Sequence, residues 1–142
     1  MPIPTRAQYE SLVYGLSQDY PDQIRASTLR LFGKSALVAK VEGEVEFVNG
    51  LILRVQEYLD FKNARILDYS YTILRGEEKI RWYDPQPHPE NPALASTFPH
   101  HRHEPPQIKD NRRPALGLSL TAPNLPTLIR DCGELGRNLP SG

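Results

Sequence analysis

The strongest constraint on the fold is an alternation of side chains between Leu37 and Phe47. Its odd positions carry apolar residues or glycine, whereas the even positions from 40 to 46 carry one lysine and three glutamates. A period of two is typical of a strand with one buried face and one solvated face. Asn49-Gly50 follows directly, and this dipeptide between two alternating segments is a strong signal for a hairpin. The sequence therefore predicts a half-buried strand at residues 37–47 that turns back at 49–50.

Further alternating segments extend this hairpin into a sheet. They are residues 23–32, where the pattern is weaker, and residues 51–58, 65–74 and 79–83. Because the connections between successive strands are short, antiparallel neighbours are favoured, and we expect a meander of four to five strands. Gly43 predicts a bulge or a bend in the first long strand, since glycine has no side chain to pack there.

Helical signals flank the sheet in the sequence. Residues 5–16 carry apolar side chains at helical spacing after Thr5, which is a favourable N-cap residue. Asn124 is in position to cap a second helix that ends near Leu135. A short edge strand is expected within residues 112–120. One helix before and one after an antiparallel meander predict an α+β fold, with both helices packed on one face of the sheet.

Length and composition predict one domain without a membrane segment. A chain of 142 residues lies in the common single-domain range. We divide it into residues 1–22 (N-terminal helix and turn), 23–84 (antiparallel sheet), 85–111 (Pro/His-rich loop) and 112–142 (short strand, C-terminal helix and tail). The single cysteine, Cys132, excludes an internal disulfide and favours a reducing compartment. No apolar stretch approaches the length of a membrane span, so we expect a cytoplasmic protein.

The segment 81–103 concentrates the residues that can do chemistry. It contains all four histidines of the chain, His88, His100, His101 and His103, together with Arg81, Tyr83 and Asp84. Histidine changes its charge near neutral pH, so such a cluster favours proton transfer, anion binding or metal ligation. Seven prolines between Pro85 and Pro106 leave few backbone donors for a helix or a sheet. We therefore expect residues 85–111 to form a long, stiff loop that presents the imidazoles.

Three interpretations of the histidines remain open from the residues alone. In the first, two imidazoles act as acid and base without a metal, as cleavage of RNA by internal transesterification requires. In the second, the histidines at 100–103 bind zinc together with His88 or Asp84. In the third, the histidines only hold the loop in place. We take the first as our hypothesis and expect no metal or other cofactor.

The acid–base hypothesis assigns roles to neighbouring side chains. Arg81 and Tyr83 share one face of the last predicted strand and would contact the phosphate. A carboxylate that orients an imidazole would be Asp84 or Glu57. We expect Glu57, Arg81 and Tyr83 on the sheet face that the helices leave open, or at its rim. Trp82 points the other way from Arg81 and Tyr83, and we expect it in the core.

Charge limits how the chain can attract nucleic acid. It has 17 basic and 17 acidic residues and a formal charge of zero, so RNA binding must come from a local patch. Basic residues do follow the histidines closely. They are Arg102, Lys109, Arg112 and Arg113, and we expect them to bind RNA.

Six motifs follow one another along the chain. They are VEGEVEFVNG at 41–50, LRVQEY at 53–58, YSY at 69–71, RWYD at 81–84, PHPE at 87–90 and FPHHRH at 98–103. In this order they resemble the TumE family, the toxin halves of two-gene toxin–antitoxin modules in bacteria and archaea. The family pattern often has two histidines where this chain has only His88.

The resemblance implies a small cytosolic toxin that inhibits growth, acts on RNA or translation and is silenced by a cognate DNA-binding antitoxin. We expect that antitoxin to be a helix-turn-helix protein encoded next door. Together with the histidine cluster, this favours a metal-independent endoribonuclease with RNA as its substrate. Two alternatives stay open. One is a non-catalytic toxin that acts by binding a cellular target, and the other is a metal-dependent hydrolase with histidine ligands.

Overall fold

The structure is a computed structural model that describes residues 2–139, and these residues form eight strands and a few helices. The strands are β1 (Ile24–Ser27), β2 (Arg30–Gly33), β3 (Val38–Phe47), β4 (Leu51–Asp60), β5 (Arg65–Arg75), β6 (Glu78–Asp84), β7 (His101–His103) and β8 (Arg112–Pro114). The α-helices are α1 (Arg6–Tyr14), α2 (Leu16–Asp19) and α3 (Leu125–Asn138), and a 3-10 helix covers Pro92–Thr97. The α+β class is confirmed.

All eight strands belong to one antiparallel sheet. β1 and β2 lie end to end along β3, and the order then runs through β4, β5, β6, β7 and β8. The predicted meander is confirmed for β3 to β6, because each of these strands pairs with its successor. The predicted number of four to five strands is wrong. Residues 23–32 form two strands instead of one, and β7 is an additional strand beyond β6. β8 at the sheet edge confirms the short edge strand expected within residues 112–120.

The hairpin between β3 and β4 turns where the sequence predicts. Gly50 has a φ of 90°, a conformation that glycine adopts at little cost. The side chain of Asn49 closes the turn, since its Oδ1 accepts a hydrogen bond from the Leu51 amide at 3.0 Å. The register that follows pairs Val45 with Leu53 and Val41 with Glu57. This hairpin places Glu57 beside Val41 on the core face of the sheet.

The helices pack on one face of the sheet. Thr5 begins α1 with a capping box, because its hydroxyl accepts from the Gln8 amide while the Gln8 side chain accepts from the Thr5 amide. Buried side chains of both α1 and α3 join the hydrophobic core that the strands contribute to. They are Tyr9 and Val13 from α1, and Leu125, Leu128, Ile129 and Cys132 from α3. We call this side of the sheet the covered face and the opposite side the outer face.

Asn124 does not cap α3 with its side chain, in contrast to the prediction. It occupies the N-cap position, but its side chain forms no capping hydrogen bond. Instead its Nδ2 donates to the Tyr71 hydroxyl at 3.1 Å and to the Ser119 carbonyl at 2.9 Å. The helix also continues to Asn138, three residues beyond the predicted end at Leu135. Asn124 therefore joins the helix to the covered face of β5.

The segment 85–111 is not the irregular loop that the sequence predicts. It contains the 3-10 helix at Pro92–Thr97 and strand β7 at His101–His103. The prolines flank β7 without interrupting it, so its amides remain free to pair with β6 and β8. Two of the four histidines are consequently held by a sheet, with fixed directions.

In the described range, residues 2–139, none of the helices has the length and apolar character needed to cross a lipid bilayer.

Candidate functional site

Strand β7 brings two histidines opposite one aspartate. In the register between β6 and β7, His101 pairs with Asp84 and His103 pairs with Trp82. Residues paired directly across antiparallel strands project to the same face. Because Tyr83 points to the covered face, Asp84 and Trp82 point to the outer face, and His101 and His103 join them there. We call Asp84, His101 and His103 the outer-face trio.

The polar atoms of the trio converge on one point. His101 Nε2 lies 3.2 Å from Asp84 Oδ1, and His103 Nε2 lies 3.3 Å from Asp84 Oδ2. The two Nε2 atoms are 3.0 Å apart. The imidazoles are almost fully buried, at 1% and 3% exposure, whereas the Asp84 side chain is 15% exposed. The trio is therefore open to solvent on the Asp84 side.

Backbone carbonyls orient both imidazole rings. His103 Nδ1 lies 2.7 Å from the Ile108 carbonyl oxygen, and His101 Nδ1 lies 3.3 Å from the Pro99 carbonyl oxygen. A carbonyl only accepts, so each Nδ1 carries the proton that it donates. In the neutral tautomer this leaves a lone pair on each Nε2, the atom that faces the other members of the trio. Burial also lowers the pKa of His101, although the Asp84 charge opposes that effect.

Two aromatic residues surround the trio on the outer face. The Trp82 ring stacks on the His103 ring, with centroids 4.5 Å apart. The His88 ring meets the His101 ring edge to face at 5.0 Å, and His88 Nδ1 lies 3.3 Å from Glu90 Oε1. The expectation that Trp82 lies in the core is wrong, because the side chain is half-buried beside the histidines. Both contacts restrict the rotation of the imidazoles.

A pocket of about 610 Å³ opens beside the trio. Asp84 and Trp82 form part of its wall, together with residues of β5 and of the segment after β6. The wall residues from these segments are Leu67, Asp68, Tyr69 and Ser70, followed by Pro85, Gln86 and Pro87. A concave pocket with a few convergent polar groups is the usual setting of a ligand site. The exposed edge of the trio thus faces a space large enough for a nucleotide-sized group.

Comparison with known families places this site in context. The family model described as Toxin TumE matches residues 15–135. The chain belongs to the TumE toxin family. The match includes every member of the trio and every strand of the sheet. A search of the curated proteins and a search of the solved structures each gave no match.

Membership of the TumE family gives the broad function. The chain is the toxin of a toxin–antitoxin system, and a toxin of this kind has a cognate antitoxin as its partner. The resemblance of the motifs is therefore confirmed. All three residues of the trio lie in two of those motifs, RWYD at 81–84 and FPHHRH at 98–103.

Arg81 and Tyr83 are not part of the outer-face trio. Arg81 Nη1 donates to the Tyr83 hydroxyl at 3.3 Å, and that hydroxyl donates to Asp131 Oδ2 of α3 at 2.9 Å. Arg81 Nη2 also pairs with Glu104 at 2.9 Å. All of these contacts lie on the covered face, so the expectation that Arg81 and Tyr83 face the same ligand as the histidines is not met. Through Tyr83 and Asp131 these contacts join β6 to α3 in this TumE toxin.

His100 and Glu57 also lie away from the trio. His100 Nδ1 is 2.6 Å from the hydroxyl of Tyr69, and the two rings stack at 5.7 Å. Glu57 is fully buried on the covered face, where it accepts hydrogen bonds from Tyr9 at 2.7 Å and from Tyr71. Burial raises the pKa of Glu57, while the two hydroxyls act in the opposite direction. Glu57 was expected on the open face or its rim, and this expectation is wrong.

The four basic residues proposed for RNA binding fall into different places. Arg112 pairs with His103 across β7 and β8, so it projects to the outer face beside the trio. Its Nε is buried and has no hydrogen-bond partner among residues 2–139. Arg102 and Arg113 pair with each other on the opposite side, where both lie near Glu104 at 2.9 and 3.5 Å. Lys109 is exposed in the connection between β7 and β8.

Sequence reasoning missed the contacts that orient the site. The carbonyls of Pro99 and Ile108 were not identifiable, because their approach to the imidazoles depends on the path of the chain around β7. Another signal was present in the sequence. His101-Arg102-His103 has the period of a strand, and the alternation that separates Trp82 from Tyr83 also separates Asp84 from Tyr83. Together these patterns group His101 with His103 and separate Asp84 from Tyr83, while the register of β6 and β7 is needed to join the two groups.

Proposed function

We propose that this TumE-family toxin stops growth by cleaving RNA, with the outer-face trio at the reaction centre. The observation that supports the proposal most is the convergence of Asp84, His101 and His103, of which Asp84 lines the 610 Å³ pocket. Buried imidazoles with fixed rings and a carboxylate between them are costly to assemble for stability alone. Their exposed edge faces the pocket, which is where a substrate would bind.

Cleavage of RNA by its own 2′-hydroxyl needs two kinds of group. One takes the proton from the 2′-hydroxyl as its oxygen attacks phosphorus, and the other stabilises the charge on the phosphate oxygens. The bond between phosphorus and the 5′ oxygen then breaks, and that oxygen takes up a proton. The trio supplies the groups for proton transfer, with one imidazole accepting the proton of the 2′-hydroxyl and the other donating a proton to the 5′ oxygen. The products are a 2′,3′-cyclic phosphate and a 5′-hydroxyl.

Arg112 is the group that fits the phosphate. Its guanidinium is on the same face as His103, and a guanidinium donates in a fork that matches two phosphate oxygens. This arrangement replaces the Arg81 and Tyr83 pair of the sequence-based hypothesis. The zero net charge of the chain gives no long-range attraction to RNA. Binding of the phosphate therefore depends on a local cation such as Arg112.

The proposal includes the partner that silences the toxin. We infer that the cognate antitoxin is a helix-turn-helix protein encoded next to the toxin gene, as the resemblance of the motifs implies. A toxin that attacks cellular RNA must be blocked until the antitoxin is lost. Expression of the chain with its neighbour is then harmless, and expression alone arrests growth.

Cleavage by purified protein tests the proposal. The substrates are an RNA oligonucleotide and a matched one with 2′-deoxyribose at the mapped cleavage position. We expect His101→Asn, His103→Asn and Asp84→Asn to slow cleavage by about 10²- to 10⁴-fold, the usual contribution of acid–base groups. The asparagine side chain can keep the hydrogen bond of Nδ1 to the backbone carbonyl while removing Nε2. The 2′-deoxy substrate is expected to remain intact.

Two matched controls separate the trio from its neighbours. His100→Asn makes the same substitution on the other side of the strand, and Tyr83→Phe removes a hydroxyl next to Asp84 in sequence. Both are expected to cut RNA near the wild-type rate below their melting temperatures. Tyr83→Phe should lose about 1–2 kcal/mol of stability, since it leaves Asp131 without a buried donor. Equal loss of cleavage in the controls and in the trio variants would contradict the proposal.

A further inference from the structure

The trio presents three electron-pair donors to one point. Each Nδ1 is committed to a backbone carbonyl, so both Nε2 atoms face inward with lone pairs, and Asp84 adds its carboxylate oxygens. At separations of 3.0–3.3 Å these atoms repel one another unless something positive binds between them. One proton can be shared by only two of the three atoms.

The distances match the coordination sphere of a small cation. Nitrogen and oxygen ligands lie 2.0–2.2 Å from zinc in a tetrahedral site, which puts neighbouring ligand atoms about 3.3 Å apart. The three measured separations are 3.0, 3.2 and 3.3 Å. One donor atom from each residue lies within 4.8 Å of the other two. Little movement is therefore needed for the three residues to share one ion.

We propose that Asp84, His101 and His103 bind one divalent transition-metal ion, with zinc the best match. Two imidazole nitrogens and one carboxylate oxygen form a ligand set suited to zinc, iron(II), cobalt(II) or manganese(II), whereas magnesium and calcium favour oxygen ligands. The hydrogen bonds from Nδ1 to the Pro99 and Ile108 carbonyls are the outer-shell contacts that fix a ligating histidine. This inference departs from the sequence-based expectation that no metal is needed.

The open side of the trio gives the ion a role. Three protein ligands leave a tetrahedral ion with one position for water or substrate, which is the arrangement of catalytic zinc sites. An ion held by the trio would lie beside the pocket that Asp84 lines. It would lower the pKa of a bound water, which would then take the place of an imidazole as the base, and it would polarise a phosphate oxygen. The role rests on the proposed cleavage of RNA, but the binding of the ion does not.

Trp82 provides a reporter for the binding test. It is the single tryptophan of the chain, and its ring stacks on His103 at 4.5 Å. The full-length protein is stripped with a chelator and titrated with cobalt(II), while tryptophan fluorescence and the visible absorption of cobalt are recorded. We expect quenching that saturates at one ion per chain, the intense absorption of a tetrahedral complex, and displacement of cobalt by one equivalent of zinc.

Matched variants locate the ion. His101→Asn, His103→Asn and Asp84→Asn each remove one ligand atom and should weaken cobalt binding by at least about 100-fold, more than the loss of an outer-shell contact. His100→Asn serves as the control and should bind cobalt as the wild type does. The melting temperature of each metal-free variant shows whether it is folded. If a trio variant fails to fold, the saturable quenching of Trp82 in the wild type and its reversal by zinc carry the test.

Several results would overturn the inference. They are a wild-type protein that binds no cobalt, an ion that binds without quenching Trp82, and a folded trio variant that binds as tightly as the wild type. RNA cleavage that persists after the protein is stripped of metal would refute the catalytic role of the ion and leave the proposed function standing. Binding of one ion per chain without cleavage of RNA would support the metal site and refute the proposed function.

Discussion

Glu57 shows how strongly its surroundings determine what a residue can do. From the sequence it was a candidate carboxylate for the site, yet it is fully buried between Tyr9 and Tyr71 beneath the helices. The alternation of β4 already places Glu57 with Leu53 and Val55 on the apolar face. A charged residue on an apolar face suggests a functional site. In the structure, however, Glu57 accepts hydrogen bonds from two tyrosines. A buried carboxyl with hydrogen-bond partners is a structural element of the core.

The pKa of Glu57 predicts a dependence of stability on pH. Burial raises this pKa above the ordinary value of 4.5, so the folded protein keeps the proton to higher pH than the unfolded chain. The contribution of Glu57 to the free energy of unfolding therefore falls as pH rises from 4.5 through the folded-state pKa of this residue. Above that pKa the contribution is constant. The glutamine of Glu57→Gln does not titrate, so the stability of this variant should rise relative to that of the wild type as pH increases.

Urea unfolding of both proteins from about pH 5 to about pH 8 measures this difference. All other titrating groups are shared, so the difference between the two curves isolates residue 57. Glu46→Gln, an exposed glutamate on the neighbouring strand, controls for the loss of one charge. A difference between wild type and Glu57→Gln that stays constant or shrinks with rising pH would show that burial does not dominate.

Among the elements, β3 depends on one glycine. Gly43 has a φ of 140°, and a Cβ at this position would lie 2.6 Å from the Thr28 carbonyl oxygen. Thr28 lies where β1 ends and β2 begins, and its amide and hydroxyl both bond to the Glu44 carbonyl. The bend predicted at Gly43 thus has a physical cause, which is the close passage of the chain between two edge strands.

Substitution of Gly43 should be costly. Gly43→Ala combines an unfavourable φ with a clash against backbone atoms, and we expect a loss of at least about 3 kcal/mol. Gly76→Ala is the control, because Gly76 also has a positive φ, of 64°, but its Cβ would have nothing within 4 Å. That variant should lose only about 1 kcal/mol. Chemical denaturation compares the two, and equal losses would rule out the close approach at Thr28.

The elements differ in how well the sequence predicts them. The hairpin of β3 and β4 is local, since alternation and Asn49-Gly50 both lie within the segment that forms it. Strand β7 has only three residues, and it forms by pairing with residues of β6 that lie 17 or more positions away in the sequence. Short strands of this kind are set by tertiary pairing and give a weak local signal. The proline content of 85–111 predicts a loop, because composition does not show whether prolines lie within a strand or on either side of it. Here they lie on either side of β7.

In the molecule as a whole, the two faces of the sheet have different roles. The covered face holds the fold together through the core and the polar contacts of Tyr83, Glu57 and Asn124. The outer face carries the trio and its pocket. The sequence identified the residue types of the site but mixed the two faces. Which residues share a face followed from strand register, which only the pairing of β6 with β7 reveals.

The proposed function requires that RNA is cut at the outer face inside cells. The most direct measurement is the mapping of RNA ends after expression of the chain without its antitoxin, for the wild type, His103→Asn and His100→Asn. We predict discrete new 5′-hydroxyl ends and growth arrest for the wild type and His100→Asn, and neither for His103→Asn at a similar protein level. Growth arrest with intact RNA, or cleavage by a folded His103→Asn protein, would contradict the account.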